Sequence, residues 1–273
     1  MEAAAARLRA ARVPKARREA HRLWAAASRA PSGSAYLERD RHADPEVAGR
    51  FEEMVARRLR GEPMAYVVGE TGFRHLMLSV DHRALIPRPE SEGVVEHALA
   101  RVREGRALDL GTGSGCLALS LRQEGGFGLV VGVDLSPDAL SLAAENRRRT
   151  GQAIELVRGD LGEPVRDATF DLVVSNPPYL TEAEYERLDP SVRAFEPRLA
   201  LESGAQGLTA SRRVLGHAER LLRAGGWLVM ELDSSRAALL ADMAAGAGWR
   251  EVRVFPDLFE RSRYLTARRG GQQ

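Results

Sequence analysis

From Gly105 onward the chain alternates short apolar runs with stretches at helical spacing, and this alternation limits its fold more than any other feature of the 273 residues. Seven runs read as strands: 107–110, 129–134, 154–158, 170–175, 227–232, 249–255 and 264–267. Helical patterns cover 116–123, 137–149, 208–222 and 236–245. A chain of this kind buries a mostly parallel sheet between helices. The predicted class is therefore α/β, a seven-stranded sheet with helices on both faces.

The first 62 residues follow a different pattern. Residues 2–28 are rich in Ala, Arg and Leu and are broken only by Pro14, which predicts two short helices. Pro31-Ser32-Gly33-Ser34 reads as a loop. Asp44 is placed to cap a helix with Pro45 in its first turn, carrying Val47, Phe51, Met54, Val55 and Leu59 on one face and ending near Gly61. The expected organisation is a helical domain over 1–62, a hairpin and linker over 63–90, and an α/β domain over 91–273. Within the linker, 65–68 and 76–80 read as the two strands of the hairpin. A proline-stiffened segment, 85–92, then leads into a helix over 94–102, with Ser91 its candidate cap. Between the fourth strand and the next helix lies a long excursion, 181–207, of the length that usually serves function.

Net charge is only +2, yet residues 1–62 carry 14 basic and 9 acidic side chains, and the rest carry 26 and 29. The basic front suits an acidic partner or a set of solvated helix faces equally well. A single cysteine, Cys116, rules out an intramolecular disulfide, and the six histidines show no metal-ligand spacing. No run of 18 apolar residues is present and the N-terminus lacks the apolar block of a secretory signal, so a cytoplasmic protein with no membrane span is expected.

Two stretches carry chemistry. The first strand ends in Asp109-Leu110-Gly111-Thr112-Gly113-Ser114-Gly115, where glycines let the backbone approach a ligand closely. The second strand ends in Asp134, 19 residues beyond Gly115 and placed to accept hydrogen bonds from ribose hydroxyls. The third glycine follows the second too soon for a dinucleotide fingerprint. The Asp109 carboxylate would also repel a pyrophosphate while suiting a ligand with an ammonium and a sulfonium. This spacing favours S-adenosylmethionine over NAD. Cys116, with no dedicated histidine, reads as a small core residue.

The second stretch is Ser175-Asn176-Pro177-Pro178-Tyr179-Leu180, which ends the fourth strand in a stiff elbow. The first and fourth strands of such a sheet are near neighbours, so the elbow and the glycine loop share its carboxyl edge. The Asn176 side-chain oxygen and the Pro177 carbonyl are two acceptors suited to a planar NH2 group, and Tyr179 can cover its face. The target is an amide or an exocyclic base amine, and the elbow leaves both open.

Beside this glycine loop, Asn-Pro-Pro-Tyr resembles class I S-adenosylmethionine-dependent methyltransferases that modify amide or exocyclic amine nitrogens. The likeness is closest to the HemK/PrmC-type peptide chain release factor glutamine methyltransferases. Gly61-Glu62-Pro63-Met64-Ala65-Tyr66-Val67-Val68-Gly69 resembles that family's hinge. Ile86-Pro87-Arg88-Pro89-Glu90-Ser91-Glu92 resembles its Pro-Arg-Pro-Glu-Thr-Glu signature with Ser for Thr, and 195–201 also matches. The resemblance implies a Rossmann-like methyltransferase sheet behind a substrate-recognising helical domain. It implies that Gly111, Thr112, Gly113, Ser114 and Gly115 cradle the methionine end of the cofactor, with Asp134 at the ribose and Leu161 at the adenine. Asn176, Pro177, Pro178 and Tyr179 would hold a glutamine of the release factor Gly-Gly-Gln loop, with Arg88, Pro89 and Glu90 near the pocket. A monomer that needs no nucleic acid is expected. Family glycines are replaced by His75, Asp233 and Glu260. The rival readings are a glutamine methyltransferase acting on a ribosomal or other protein, and an adenine-type nucleic-acid methyltransferase. The second would need a basic groove that the net negative residues after 63 do not supply.

Overall fold

A computed structural model describes residues 1–29 and 44–271. The expected loop Pro31-Ser32-Gly33-Ser34 lies outside them. The chain divides into two compact units, one of Met1–Glu70 with Asp189–Phe195 and one of Thr71–Leu188 with Glu196–Gln273.

The first unit is helical. Pro14 falls in the break between α1 (Glu2–Ala10) and α2 (Ala16–Ser28). At the start of α3 (Pro45–Leu59), Asp44 accepts a hydrogen bond from the Glu46 N–H at 2.8 Å, as its cap position requires. Leu8, Leu23, Phe51 and Val55 are buried together, and Trp24 stands edge-on to Phe51 with ring centroids 5.2 Å apart. One expectation fails here. Residues 65–68 lie in a short helix, α4 (Met64–Val68), and not in a strand. Pro63 presets its start and Gly69 closes it by donating to the Ala65 carbonyl at 2.8 Å. Five residues with two adjacent valines carry no period that separates the two states. The hairpin therefore starts later, with β1 (Glu70–Phe73) and β2 (Leu76–Ser79), and from Thr71 onward it belongs to the second unit. At its turn Arg74 takes φ +49° beside His75. The Arg74 guanidinium pairs through two 2.5 Å contacts with Glu124, and the Arg74 backbone N–H donates to the Glu92 carboxylate at 2.9 Å.

The second unit is built on a seven-stranded sheet: β3 (Glu104–Leu110), β4 (Gly126–Asp134), β5 (Glu155–Arg158), β6 (Phe170–Ser175), β7 (Leu222–Glu231), β8 (Arg250–Pro256) and β9 (Ser262–Arg268). Its order is β5-β4-β3-β6-β7-β9-β8, parallel except for β9. The helix α5 (Glu92–Leu99), which precedes β3, and the crossover helices α6 (Cys116–Glu124), α7 (Pro137–Thr150), α8 (Thr209–Leu221) and α9 (Ala237–Gly246) cover both faces. β6 carries six buried residues in a row, as a strand covered on both faces must. One apolar core packs Val214, Leu221 and Leu240 on the sheet, and the other packs Val95, Leu119 and Phe127. The order reverses at β3, with β4 on one side and β6 on the other, which opens a crevice at its carboxyl end. Among the described residues no helix is long and apolar enough to cross a membrane.

Gly105 at the start of β3 has φ +96°, and a Cβ there would fall onto the carboxylate of Asp171, which is engaged by the Arg106 N–H at 2.8 Å and by Arg223. Gly105→Ala should lower stability by ~2–4 kcal/mol, combining left-handed strain with displacement of a buried acceptor. A urea titration checks this, with an unchanged midpoint as the contrary result.

Candidate functional site

The carboxyl ends of β3, β4 and β6 converge on a cavity of about 370 Å³, within the range of small-molecule sites. Gly111, Thr112, Gly113 and Ser114 line it from the loop after β3, Asp134 from the end of β4, and Leu161 from the loop after β5. Asn176 and Pro178 come from the elbow after β6, and Arg88 and Ser91 from the proline-rich segment. Further lining comes from Pro197, Leu199, Ala200, Glu202, Ser203 and Gly204 in the excursion and from the start of α8.

The loop is held from behind. The Gly111 and Thr112 N–H groups both donate to the Val133 carbonyl at 2.9 Å, and Gly113 N–H donates to Asp134 Oδ2 at 2.8 Å. Asp134 Oδ1 accepts from Ser136 N–H at 2.9 Å, and burial pushes this carboxyl above its ordinary range. Gly111 and Gly113 have φ of +75° and +56°, and an added Cβ meets nothing within 4 Å at the first and only Ala84 at 4.0 Å at the second. The missing side chains therefore leave open space inside the cavity.

Asp109 is not in the wall. It is fully buried, and its Oδ2 accepts from the Thr112 hydroxyl at 2.6 Å and the Ala118 N–H at 3.2 Å. The expectation of a carboxylate facing an ammonium is corrected to one that ties the loop to α6, with burial raising it to about 7. Cys116 does line the cavity, packed against the apolar core, and burial followed by the Asp109 charge raises its thiol to about 12, so it stays protonated. Gly115 begins α6 behind the wall.

The elbow is pinned at both sides. The Ser175 hydroxyl donates to the Leu110 carbonyl at 2.7 Å, which joins the end of β6 to the end of β3. Leu180 N–H donates to the Leu201 carbonyl at 2.9 Å and Ser203 N–H to the Leu180 carbonyl at 2.8 Å, so the excursion returns alongside it. Pro177 is buried, and neither it nor Tyr179 is in the cavity wall. Burial and then the Glu231 charge push the Tyr179 phenol up to about 12, so it is neutral near pH 7. The excursion is not a plain loop. It begins with a helical turn, Glu182–Glu186, capped by Thr181 and Glu184. Arg236 ties it down by contacting Glu184 at 2.7 Å, the Gln206 carbonyl at 2.8 Å and Asp233 at 2.9 Å. Asp233 thus anchors Arg236 while also capping the turn at Ser235. Glu260 takes φ +62°, with its N–H donated to the Asp257 carbonyl at 3.0 Å.

Sequence reasoning missed the residues that hold the proline-rich segment. Glu196, 4% exposed, accepts from the Ile86 N–H at 3.1 Å and the Arg88 guanidinium at 2.5 Å. Pro89 and Glu90 lie behind the wall in a short 3₁₀ turn, where the Tyr264 hydroxyl donates to the Glu90 carbonyl at 2.7 Å. Ser91 precedes α5 but its side chain caps nothing, which corrects that expectation. Its hydroxyl donates to Glu231 Oε2 at 2.6 Å and accepts from Asn176 Nδ2 at 2.9 Å. Burial raises Glu231, at the end of β7, to about 7.

Comparison with known proteins adds a second line of observation. A profile of the Methyltransferase small domain matches residues 91–190, and one of the PrmC N-terminal domain matches residues 1–69. The release factor glutamine methyltransferase of Cereibacter sphaeroides is 40% identical over 270 residues, covering 98% of this chain and 96% of that protein. That of Geobacter sulfurreducens is 40% identical over 238 residues, covering 87% and 84%. Among solved structures, a methyltransferase from Pyrococcus furiosus superposes with a TM-score of 0.56 at 20% identity, covering 81% of this chain and 100% of that one. The hMettl16 catalytic domain, bound to an RNA hairpin, superposes at 0.57 and 18% identity, covering 84% and 82%. At such identities these likenesses show the fold alone.

Proposed function

The chain belongs to the release factor glutamine methyltransferase family, and from that premise we propose that it methylates the side-chain amide nitrogen of the glutamine in the Gly-Gly-Gln loop of peptide chain release factors, with S-adenosylmethionine as donor. The observation that carries this reading is that the glycine loop and Asn176 line one cavity, with the Asn176 NH2 group already engaged by Ser91. The Asn176 oxygen is then the end left to receive a donor.

The residues present fit the donor. Gly111 and Gly113 leave cavity space that side chains would otherwise fill, and Asp134 keeps acceptor capacity on both oxygens after bonding Gly113 and Ser136. We assign Gly111, Thr112, Gly113 and Ser114 to the methionine end, with Gly115 supporting them at the start of α6, Asp134 to the ribose and Leu161 to the adenine, with Asp109 shaping the loop from below. When bound, S-adenosylmethionine supplies an electrophilic methyl group on a sulfonium. The chain's part is positioning. The Asn176 oxygen, which lines the cavity, accepts one amide N–H of the glutamine and stabilises the positive charge that develops on its nitrogen, and the second N–H is assigned to the Pro177 carbonyl, just outside the wall. Transfer of that methyl to the glutamine nitrogen would be balanced by release of the thioether product and of one proton to water. Tyr179 backs the elbow, Arg88 lines the cavity beside it, and Pro89 and Glu90 support that wall from behind. The N-terminal helical unit is assigned to recognition of the release factor. In this reading the protein acts as a cytoplasmic monomer without nucleic acid.

Incubated with labelled S-adenosylmethionine, the chain is expected to transfer one methyl to a bacterial release factor, and none when that glutamine is replaced by glutamate. Label on total RNA or DNA with none on the release factor would contradict the assignment, as would equal labelling of the Gln→Glu factor.

A further inference from the structure

A carboxamide can sit in its site two ways, and the two differ in whether oxygen or NH2 faces the substrate. For Asn176, which lines the cavity, the choice is set by the two buried groups behind it. Ser91 and Glu231 are each 2% exposed, so water does not compete for their hydrogen bonds. A serine hydroxyl has one proton, and Ser91 gives it to Glu231 Oε2 at 2.6 Å. An ionised carboxylate accepts only, so Ser91 has no alternative use for that proton, and its oxygen can only accept from its other neighbour. That neighbour is Asn176 Nδ2, at 2.9 Å. The direction of the proton on Ser91 therefore dictates which end of the amide turns away from it.

We propose that Ser91 and Glu231 are positioning residues that fix the polarity of the Asn176 amide, so that its oxygen, and not its NH2 group, meets the acceptor nitrogen of the substrate. The proposal rests on the methyl-transfer reading above. With the amide reversed, donor would face donor and the substrate NH2 would lose one of its two acceptors. The lock acts through Asn176 and leaves the glycine loop and Asp134 untouched, so it bears on turnover and not on donor affinity. The constraint is also exacting in kind. A replacement must keep one hydroxyl at position 91, which threonine does and alanine does not. A glutamine at 231 can donate as well as accept, and so removes the direction from the chain of bonds.

The test is steady-state methylation of a release factor by the full chain, assayed well above the Glu231 midpoint of about 7. Cofactor affinity and melting temperature are followed in parallel. Ser91→Ala is expected to lower kcat ~10–100-fold with KM for the release factor and Kd for S-adenosylmethionine within about threefold. Ser91→Thr should restore kcat to within about threefold of the parent. Glu231→Gln should lose a similar factor, and the double variant Ser91→Ala/Glu231→Gln should fall little further than either alone, as expected of one coupled unit. The proposal is overturned by a Ser91→Ala protein with parental kcat, by a Ser91→Thr protein as impaired as Ser91→Ala, or by multiplicative losses in the double variant. A parent protein that transfers no methyl to any release factor would instead overturn the functional reading itself.

Discussion

Asn176→Ala should lower kcat for methyl transfer by at least about 1000-fold while leaving the Kd for S-adenosylmethionine within about tenfold of the parent value. The expectation follows from where the side chain sits. Its NH2 group is held by Ser91, its strand is tied to β3 through the Ser175 hydroxyl, and the two prolines after it fix the backbone. The amide oxygen is thus preorganised, with little reorganisation left for the moment of reaction. Alanine removes that acceptor but leaves the loop's own bonds to Val133 and Asp134 intact. Kinetics with a cognate release factor, beside a cofactor titration, separate the two effects. Loss of cofactor binding with kcat retained at saturation would reverse the roles assigned to the elbow and the loop.

Asp134→Ala should do the opposite, raising the Kd for S-adenosylmethionine ~100–1000-fold while kcat at saturating cofactor falls far less. The carboxylate holds the Gly113 N–H with one oxygen and the Ser136 N–H with the other. Its removal loosens the loop on one side and the start of α7 on the other. It also deletes the acceptor assigned to the ribose hydroxyls, and hydrogen bonds to a charged, partly buried acceptor are among the stronger ones. Isothermal titration with the cofactor reads the change directly, and an affinity within threefold of the parent would remove Asp134 from the donor site.

How much of this was legible in the sequence depended on the range of the interaction. The β6 strand was read with its observed bounds because a run of buried residues ends at Asn-Pro-Pro, which stops a ladder within one residue. The parallel sheet followed from strand–helix alternation, and the α3 cap from Asp44-Pro45. The strand expected over 65–68 is instead part of the helix Met64–Val68, because a five-residue helix is fixed by its flanking Pro63 and Gly69, not by any internal period. The elbow and the glycine loop were each visible as local motifs. What couples them to the rest is not local: Ser91 meets Glu231 across 140 positions and Asn176 across 85, and Arg88 meets Glu196 across 108. Nothing in the sequence around Glu231 distinguishes it from any acidic residue at a strand end. The reading of Asp109 failed for a related reason. Spacing placed a carboxylate at the start of the loop, but the direction of its side chain, down onto Thr112 and the α6 N-terminus, is decided by packing.

The central claim is a bond between a methyl group and one amide nitrogen, and a fragmentation mass spectrum tests it directly. A release factor incubated with the protein and S-adenosylmethionine should gain a single methyl, and the fragments should place it on the side chain of the glutamine in the Gly-Gly-Gln loop. A release factor that gains no methyl, or gains it at any other residue, would contradict the account.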